Sequence, residues 1–258
     1  MLDRLLYPLY ERRLLAEIGR GPVPRHLGLI QDGHRRYVRQ AGLASLSEGY
    51  RRGAAATEDV LRWCAELEIR MVTLWWLSTE NLRREPGELQ ALIAVIETTM
   101  DEWMRQRLPD RLGMRICPIG RLELLPPSLL ESLKSVEAAT RHLDVMRLNV
   151  GVGYGGREEI VDAFRGYLRD GFARDDSREE ILGGLSPDAV EKYLYTPDCP
   201  DPDLIIRTSG EVRLSGFMLW QSAYSEYYFC DACWPAFRKI DFLRALRSYQ
   251  QRRRRFGK

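Results

Sequence analysis

Met71-Val72-Thr73-Leu74-Trp75-Trp76-Leu77 is an almost wholly apolar run that breaks abruptly into Ser78-Thr79-Glu80-Asn81. It has the length of a strand rather than a helix. Its lack of polar alternation predicts a strand covered on both faces, as in a parallel sheet packed between helices. The same grammar repeats outward from it. Towards the N-terminus, residues 26–31 form a short apolar run ending in the turn Asp32-Gly33, and Val60, Leu61, Cys64 and Leu67 follow at helical spacing with Ser47 as the expected N-cap. Towards the C-terminus, Pro86 sits where proline favours a first helical turn, and Leu89, Leu92, Ile93, Ile96, Met100 and Trp103 line one face of that helix. Residues 114–119 read as a strand, 129–143 as a helix and 145–152 as a strand. The Gly153–Gly156 turn follows, with a helix over 157–168. Residues 203–207 read as a strand, 217–220 are a candidate for another, and Phe242, Leu243, Leu246 and Tyr249 mark a final helix. Residues 174–180 read as a surface loop. This alternation predicts a single α/β domain with a central, mostly parallel β-sheet flanked by helices on both faces.

The chain of 258 residues is 45% hydrophobic and 29% charged, enough apolar surface for a sizeable core. A net charge of +2 gives no support to a nucleic-acid partner. The arginines are nevertheless clustered, at Arg35-Arg36, Arg51-Arg52, Arg83-Arg84 and Arg252 to Arg255, which suits local anion sites. Five cysteines without a secretory signal point to reduced thiols and a cytoplasmic location. The single C-x-x-C, Cys230 to Cys233, lacks the second pair that a structural zinc site needs. No apolar run approaches the roughly 18 residues that span a bilayer. Residues 1–25 read as an N-terminal helical extension. Its charges, Arg4, Glu11, Arg12, Arg13 and Glu17, exclude a signal-peptide core and leave two readings open: a peripheral membrane contact, or a helix packed on the domain surface.

Parallel sheets bind ligands at the carboxyl ends of their strands. Here the first strand ends in Asp32-Gly33-His34-Arg35-Arg36, the next in Ser78-Thr79-Glu80-Asn81 with Arg84 behind it, and a late one in Arg207-Thr208-Ser209-Gly210-Glu211 with Arg213 and Ser215 beyond. An Asp-Gly pair alone is a turn, and an Arg pair alone is a solvated face. Together at successive strand ends they suit a phosphate-type ligand: arginine forks match phosphate oxygens, glycines let backbone amides approach an anion, and magnesium would be held by one or two carboxylates.

These blocks resemble those of the cis-prenyltransferases, the undecaprenyl diphosphate synthase-like family, from about His26 to the C-terminus. The resemblance is greatest to short-chain actinobacterial Z-farnesyl diphosphate synthases. Five ordered segments carry it: Asp32-Gly33-His34-Arg35-Arg36-Tyr37, Ser78-Thr79-Glu80-Asn81-Leu82-Arg83-Arg84, Tyr154-Gly155-Gly156-Arg157, Asp203 through Ser215, and Trp220-Gln221 with Ala223-Tyr224-Ser225-Glu226. Arg254-Arg255-Phe256-Gly257 closes the chain in the same manner. The resemblance implies a catalytic domain over 26–258, a Mg2+ cofactor and a homodimer whose C-terminal arginines complete the partner's site. The substrates would be an allylic prenyl diphosphate, geranyl or farnesyl, and isopentenyl diphosphate.

By the same resemblance Asp32 and Glu226 would bind the metal, with Asp32 helping the allylic diphosphate to leave. Gly33, Arg35 and Arg36 would hold that diphosphate, and Arg207, Arg213 and Ser215 that of isopentenyl diphosphate. Arg84 would add to the site. Asn81 matches the position linked to proton removal, although an amide is a poor base. Tyr37, Tyr50, Ser78, Thr79, Glu80, Leu82 and Leu214 complete the substrate-binding set. Departures concentrate at His34, which replaces the family's Asn, with Tyr37 for Trp, Tyr50 near a usual His and Leu82 for an aromatic. His34 places a titratable group beside a diphosphate, where a raised pKa is expected, and is a candidate catalytic residue. Trp75, Trp76 and the 89–103 helix face are candidate walls of a tail tunnel, with plain core packing as the other reading. A terpene cyclase or irregular prenyl-coupling enzyme on the same fold is the alternative function. A silent partner subunit is disfavoured by the presence of Asp32, Glu226 and Arg207. Asp175-Asp176 with Glu179 sits in a charged loop rather than in the all-helical setting of a trans-type synthase.

Overall fold

The structure, a computed structural model, describes the backbone of residues 2–19 and 21–256 and the side chains of residues 7–19 and 21–252. The chain begins with α1 (Leu2–Ile18), β1 (His26–Ile30), α2 (His34–Gln40), α3 (Leu46–Glu66) and β2 (Met71–Ser78). It continues with α4 (Pro86–Arg105), α5 (Leu108–Leu112), β3 (Met114–Ile119), α6 (Pro127–Thr140) and β4 (Met146–Tyr154). After α7 (Gly156–Ala173), α8 (Arg178–Gly184) and α9 (Pro187–Glu191) come β5 (Leu204–Arg207), β6 (Glu226–Phe229) and α10 (Lys239–Phe256). Six strands form one sheet in the order β3-β4-β2-β1-β5-β6, and every pairing is parallel. All five residues of β1 are buried, the expected property of a strand covered on both faces. Alternate strand residues divide between two cores. Leu27, Leu29, Leu204 and Ile206 join the main cluster beneath α3, α4, α6 and α10, while Ile30 and Ile205 join Phe217, Met218 and Tyr154 on the opposite face.

The N-terminal helix belongs to the same body: Leu14 and Ile18 are buried in the main core, and Glu17 pairs with Arg247 of α10. Three sequence expectations shift. Helix α3 begins at Leu46, so Ser45 rather than Ser47 is its cap, with Ser45 Oγ accepting from the Glu48 amide. Residues 217–220 are turns, because Ser215, Gly216 and Met218 have left-handed φ values of 50°, 90° and 44° that interrupt an extended chain; the sixth strand is Glu226–Phe229 instead. The charged 174–180 segment starts α8 through a capping box at Ser177 and Glu180.

The feature that positions the site is the reversal at β1. The chain leaves β1 for β2 on one side and returns through β5 on the other, so the carboxyl ends of β1 and β5 flank the crevice where open parallel sheets bind ligands.

A buried polar chain crosses the sheet away from that crevice. His26 Nδ1 lies 2.7 Å from the Pro200 carbonyl, which only accepts, so this nitrogen carries the proton; Nε2, 2.7 Å from Thr73 Oγ1, then accepts from the hydroxyl. Thr73 Oγ1 in turn accepts from Asn149 Nδ2 at 3.0 Å. Burial lowers the His26 pKa to about 4, although the Pro200 hydrogen bond and Asp203 oppose the shift. An unfolded imidazole titrates near ~6.5, so between that pH and about 4 the unfolded chain takes the proton first. Stability present above pH 6.5 is therefore lost as pH falls through the window, by on the order of 3 kcal/mol for this residue. Urea midpoints should fall between pH 7 and 4.5, and His26→Asn should make that fall shallower. An equally steep fall in the variant would contradict this account.

Candidate active site

Pairing of Ile30 with Arg207 sets Asp32 and Arg207 at neighbouring strand ends. Arg207 Nη2 donates to Asp32 Oδ2 at 2.9 Å, and Nη1 donates to Ser215 Oγ at 2.7 Å and to the Arg213 carbonyl at 2.5 Å. The Arg207 side chain is 4% exposed and that of Asp32 39%, so a buried guanidinium is presented to the crevice through a partly exposed carboxylate. Arg207 Nε and Ser209 Oγ are buried without a partner among the described residues, which leaves hydrogen-bonding capacity over in this cradle. Gly33 has φ +101° and donates its N–H to Asp32 Oδ1 at 2.7 Å; a Cβ there would meet Ser209 Cβ at 2.9 Å and the Cys233 backbone at 3.0 Å. Arg36 donates to the Ser209 carbonyl at 2.5 Å and approaches Glu211 at 3.4 Å, while Glu211 also pairs with Arg213.

The facing wall comes from the end of β2. Asn81 Oδ1 accepts from the Ser78 amide at 3.2 Å and Ser78 Oγ accepts from the Asn81 amide at 3.0 Å. The Asn81 carbonyl oxygen is thus already engaged. Beside it, Glu88 accepts from Arg35, from the Tyr50 hydroxyl at 2.9 Å and from Arg84 at 2.9 Å. Burial works to raise the Glu88 pKa, but the Arg35 and Tyr50 hydrogen bonds and the Arg84 charge hold it below the usual carboxylate value. Burial also pushes Tyr50 up to about 12. His34 lies 5.3 Å from the Tyr50 ring and fills the notch left by Gly53, where a Cβ would come within 2.3 Å of His34 Nε2. The protein's own groups shift its pKa downwards, whereas the rise expected from the sequence belongs to a bound diphosphate. Burial lowers the His34 pKa to about 4, with Asp32 opposing and Arg84 reinforcing the shift. The protein surroundings alone favour the neutral ring.

These walls enclose a cavity of about 470 Å3. Its polar end is the arginine-rich cradle; its other end is formed by Ala54, Trp76, Leu92, Val95, Ile96 and Thr99. The β2–β4 register slips by one residue at Trp76, a bulge beside the crevice, and the Trp76 ring turns towards buried Trp103 at 5.5 Å. Trp75 borders the cavity too, but its ring stacks at 5.6 Å on Phe217 on the other face of the sheet. Of the two tryptophans only Trp76 joins the α4 wall. Along α4, Leu92, Val95, Ile96 and Thr99 line the cavity, whereas Ile93, Met100 and Trp103 are core.

Residues 30–257 match the family model described as "Putative undecaprenyl diphosphate synthase". The chain belongs to this family. It is 52% identical over 252 residues to the (2Z,6E)-farnesyl diphosphate synthase of Thermobifida fusca, covering 98% of this chain and 97% of that one. It is 50% identical over 257 residues to an isoprenyl transferase of Thermus thermophilus, covering 100% and 97%. Among solved structures, lavandulyl diphosphate synthase of Lavandula x intermedia with dimethylallyl diphosphate superposes with a TM-score of 0.82 at 30% identity, over 88% of this chain and 95% of that one. The protein is therefore a prenyl transferase of the cis-prenyltransferase fold.

Most of the residues suggested by the family's blocks line this one cavity: Asp32, Gly33, His34, Arg35, Arg36, Tyr50, Ser78, Glu80, Asn81, Arg84, Arg207, Arg213 and Ser215. Thr79 is not among the lining residues, and Tyr37 accepts from Arg52 at 2.9 Å outside the cavity. Leu82 packs on the core and Leu214 is exposed. Glu226 is not brought to Asp32 within the chain: it pairs with Leu204 at the amino end of β6, opposite the crevice, and binds Arg252 at 2.9 Å. The side chains of Arg254, Arg255 and Phe256, and the whole of Gly257, lie outside the described residues.

Sequence reasoning missed Glu88, whose only local signal is its i,i+4 spacing from Arg84. It also missed Glu159. This buried carboxylate accepts from the Tyr154 hydroxyl, the Tyr195 amide and Gln221, and Tyr154 accepts from the Met218 amide, so the loop that carries Arg213 and Ser215 is anchored from below. Asp32→Ala should leave the Arg207 guanidinium short of its anionic partner and lower stability by about 1–3 kcal/mol, with a smaller loss for Asp32→Asn. Equal or higher stability of Asp32→Ala in thermal unfolding would contradict the ion pair's structural role.

Proposed function

We propose that this family member is a Mg2+-dependent short-chain Z-prenyl diphosphate synthase that joins geranyl or farnesyl diphosphate to isopentenyl diphosphate. The observation that carries this reading is one cavity with an arginine-rich cradle at one end and an apolar pocket walled by Trp76 at the other. Such a cavity suits a ligand with a diphosphate head and a hydrocarbon tail. The relatedness to a (2Z,6E)-farnesyl diphosphate synthase supports the short chain.

Magnesium takes one or two carboxylates and completes its shell with water and phosphate oxygens. Asp32 fits that demand: its carboxylate is partly exposed at the cavity, beside the arginines that line it. No cluster of three or more His, Cys, Asp or Glu exists among the described residues, so the substrate's own oxygens would be needed. When bound, the ion neutralises charge on the departing diphosphate. Glu226, held away from Asp32 within the chain, would join this ion only across a homodimer, in which the C-terminal arginines would also act.

Gly33, Arg36 and Arg84 hold the allylic diphosphate in this reading, and Arg207, Arg213 and Ser215 hold that of isopentenyl diphosphate. The allylic carbon–oxygen bond breaks, and the diphosphate leaves with the electron pair. The terminal olefin carbon of isopentenyl diphosphate attacks the allylic cation, a step that depends on close positioning. Loss of a proton from the adjacent carbon forms the new double bond, and the face of that loss gives Z geometry. Asn81 positions rather than deprotonates, since its oxygen is engaged by the Ser78 amide; the departed diphosphate is the base. The cytoplasm is the location that fits these water-soluble substrates, and no described helix is long and apolar enough to cross a membrane.

A second reading rests on His34, an imidazole lining the cavity where the family has Asn, and on the superposition with lavandulyl diphosphate synthase. In it the allylic diphosphate ionises without normal elongation, giving a cyclic or irregular product. Mass-resolved product analysis separates the two. With Mg2+ and geranyl or farnesyl diphosphate, the first reading predicts a longer Z-prenyl diphosphate only when isopentenyl diphosphate is added. A terpene or irregular product made without it would overturn that reading. Trp76→Ala opens the apolar end and should shift products of the wild-type reaction to longer chains; an unchanged distribution would remove Trp76 as the wall.

A further inference from the structure

Glu88 has a concentration of donors that no residue role given above explains. Its Oε1 accepts from Arg35 Nε at 3.1 Å, Arg35 Nη2 at 2.8 Å, the Tyr50 hydroxyl at 2.9 Å and Arg84 Nη1 at 2.9 Å, and its Oε2 accepts from Arg35 Nη2 at 2.6 Å. Arg84 Nη1 also donates to the Tyr50 oxygen at 3.1 Å, which closes the network. The Glu88 side chain is only 12% exposed. It stands in the first turn of α4, where a carboxylate is favoured by the helix dipole, and its own amide is capped by Glu85 Oε2 at 3.0 Å.

We propose that Glu88 is a positioning residue for the allylic diphosphate. It sets the Arg84 guanidinium at the cavity and fastens α4, the tail wall, to the cradle. Two guanidiniums on one side of a cavity repel each other, and an unpaired long side chain samples many rotamers. One carboxylate shared between Arg35 and Arg84 removes both costs. Arg35 gives its Nε and Nη2 to the two Glu88 oxygens and so serves as a brace, while Arg84, held through Nη1 alone, is the cation of the pair that meets the ligand in this proposal. The network joins α2 through Arg35, α3 through Tyr50, the connection after β2 through Arg84 and the start of α4. Leu92, Val95, Ile96 and Thr99 of that helix wall the apolar end, so the diphosphate position and the tail wall share one anchor.

This inference rests on the synthase reading, and the experiment keeps the two apart. Glu88→Gln retains shape and removes charge, while Glu88→Asp retains charge. Initial rates are measured with geranyl diphosphate varied at fixed isopentenyl diphosphate, and the reverse. The binding of Mg2+ and inorganic pyrophosphate to each variant is followed by calorimetry, and folding is checked by thermal unfolding. For a folded Glu88→Gln, KM for the allylic substrate should rise about tenfold or more, the scale of a misplaced binding group, with KM for isopentenyl diphosphate within about twofold. Pyrophosphate binding should weaken, Glu88→Asp should recover part of both losses, and the product-length distribution should broaden. An unchanged allylic KM, or an equal rise in both KM values, overturns the proposal. If the wild type makes no elongated product, the synthase reading fails, and the pyrophosphate titration still decides: weakened binding in Glu88→Gln supports the positioning role and unchanged binding overturns it.

Discussion

The ion pair between Asp32 and Arg207 is the constraint around which the crevice is arranged. It exists because β1 and β5 are parallel neighbours in register, so that the two residues leave the sheet side by side. A guanidinium buried to that degree needs acceptors, and the fold supplies them from three places: the Asp32 carboxylate, the Ser215 hydroxyl and the Arg213 carbonyl. Meeting that demand bends the chain after β5 back over the strand end through left-handed Ser209, Gly210, Ser215 and Gly216. The result is a rim with arginines and small residues, where an anion finds donors on a framework already braced by the core. Stability and function thus draw on the same contacts, since the interaction that satisfies a buried cation also presents a carboxylate to the cavity.

The second arrangement is the division of the cavity into unlike ends. Strand β2 supplies both. Its carboxyl end turns into the Ser78–Asn81 loop beside the cradle, while Trp76, two residues before Ser78, faces α4 with Val72 and Leu74 by strand alternation. The Trp76 ring gives the hydrocarbon end a bulky wall backed by Trp103. His34 packs between Tyr50 and Gly53 at the cavity, where burial favours its neutral form.

Much of this was legible in the sequence because the signals are local. The run 71–77 has strand length and no alternation, Pro86 opens α4 as the first-turn preference requires, and the polar blocks fall at the ends of apolar runs. The parts that were not legible depend on register and on partners far apart in the chain. Glu226 looks like a site residue in a list of blocks, but parallel pairing with Leu204 sets it at the amino edge of the sheet. Arg35 is found from its block, but its partner Glu88 lies 53 residues away and only the structure brings the two together. His34 reads as a group beside an anion, while its pKa answers first to burial against α3. The 217–220 run has strand composition, yet the left-handed residues around it fold it into turns beneath β1 and β5.

The central claim is that the crevice at the ends of β1 and β5 receives the diphosphate while the Trp76 end receives the tail. A crystal structure with Mg2+ and an unreactive thiodiphosphate analogue of geranyl diphosphate tests it most directly. The account predicts the metal on Asp32, the diphosphate within hydrogen-bonding distance of Arg36 and Arg84, and the hydrocarbon against Trp76, Leu92 and Ile96. A diphosphate seated elsewhere on the protein, or a tail directed away from α4, would contradict it.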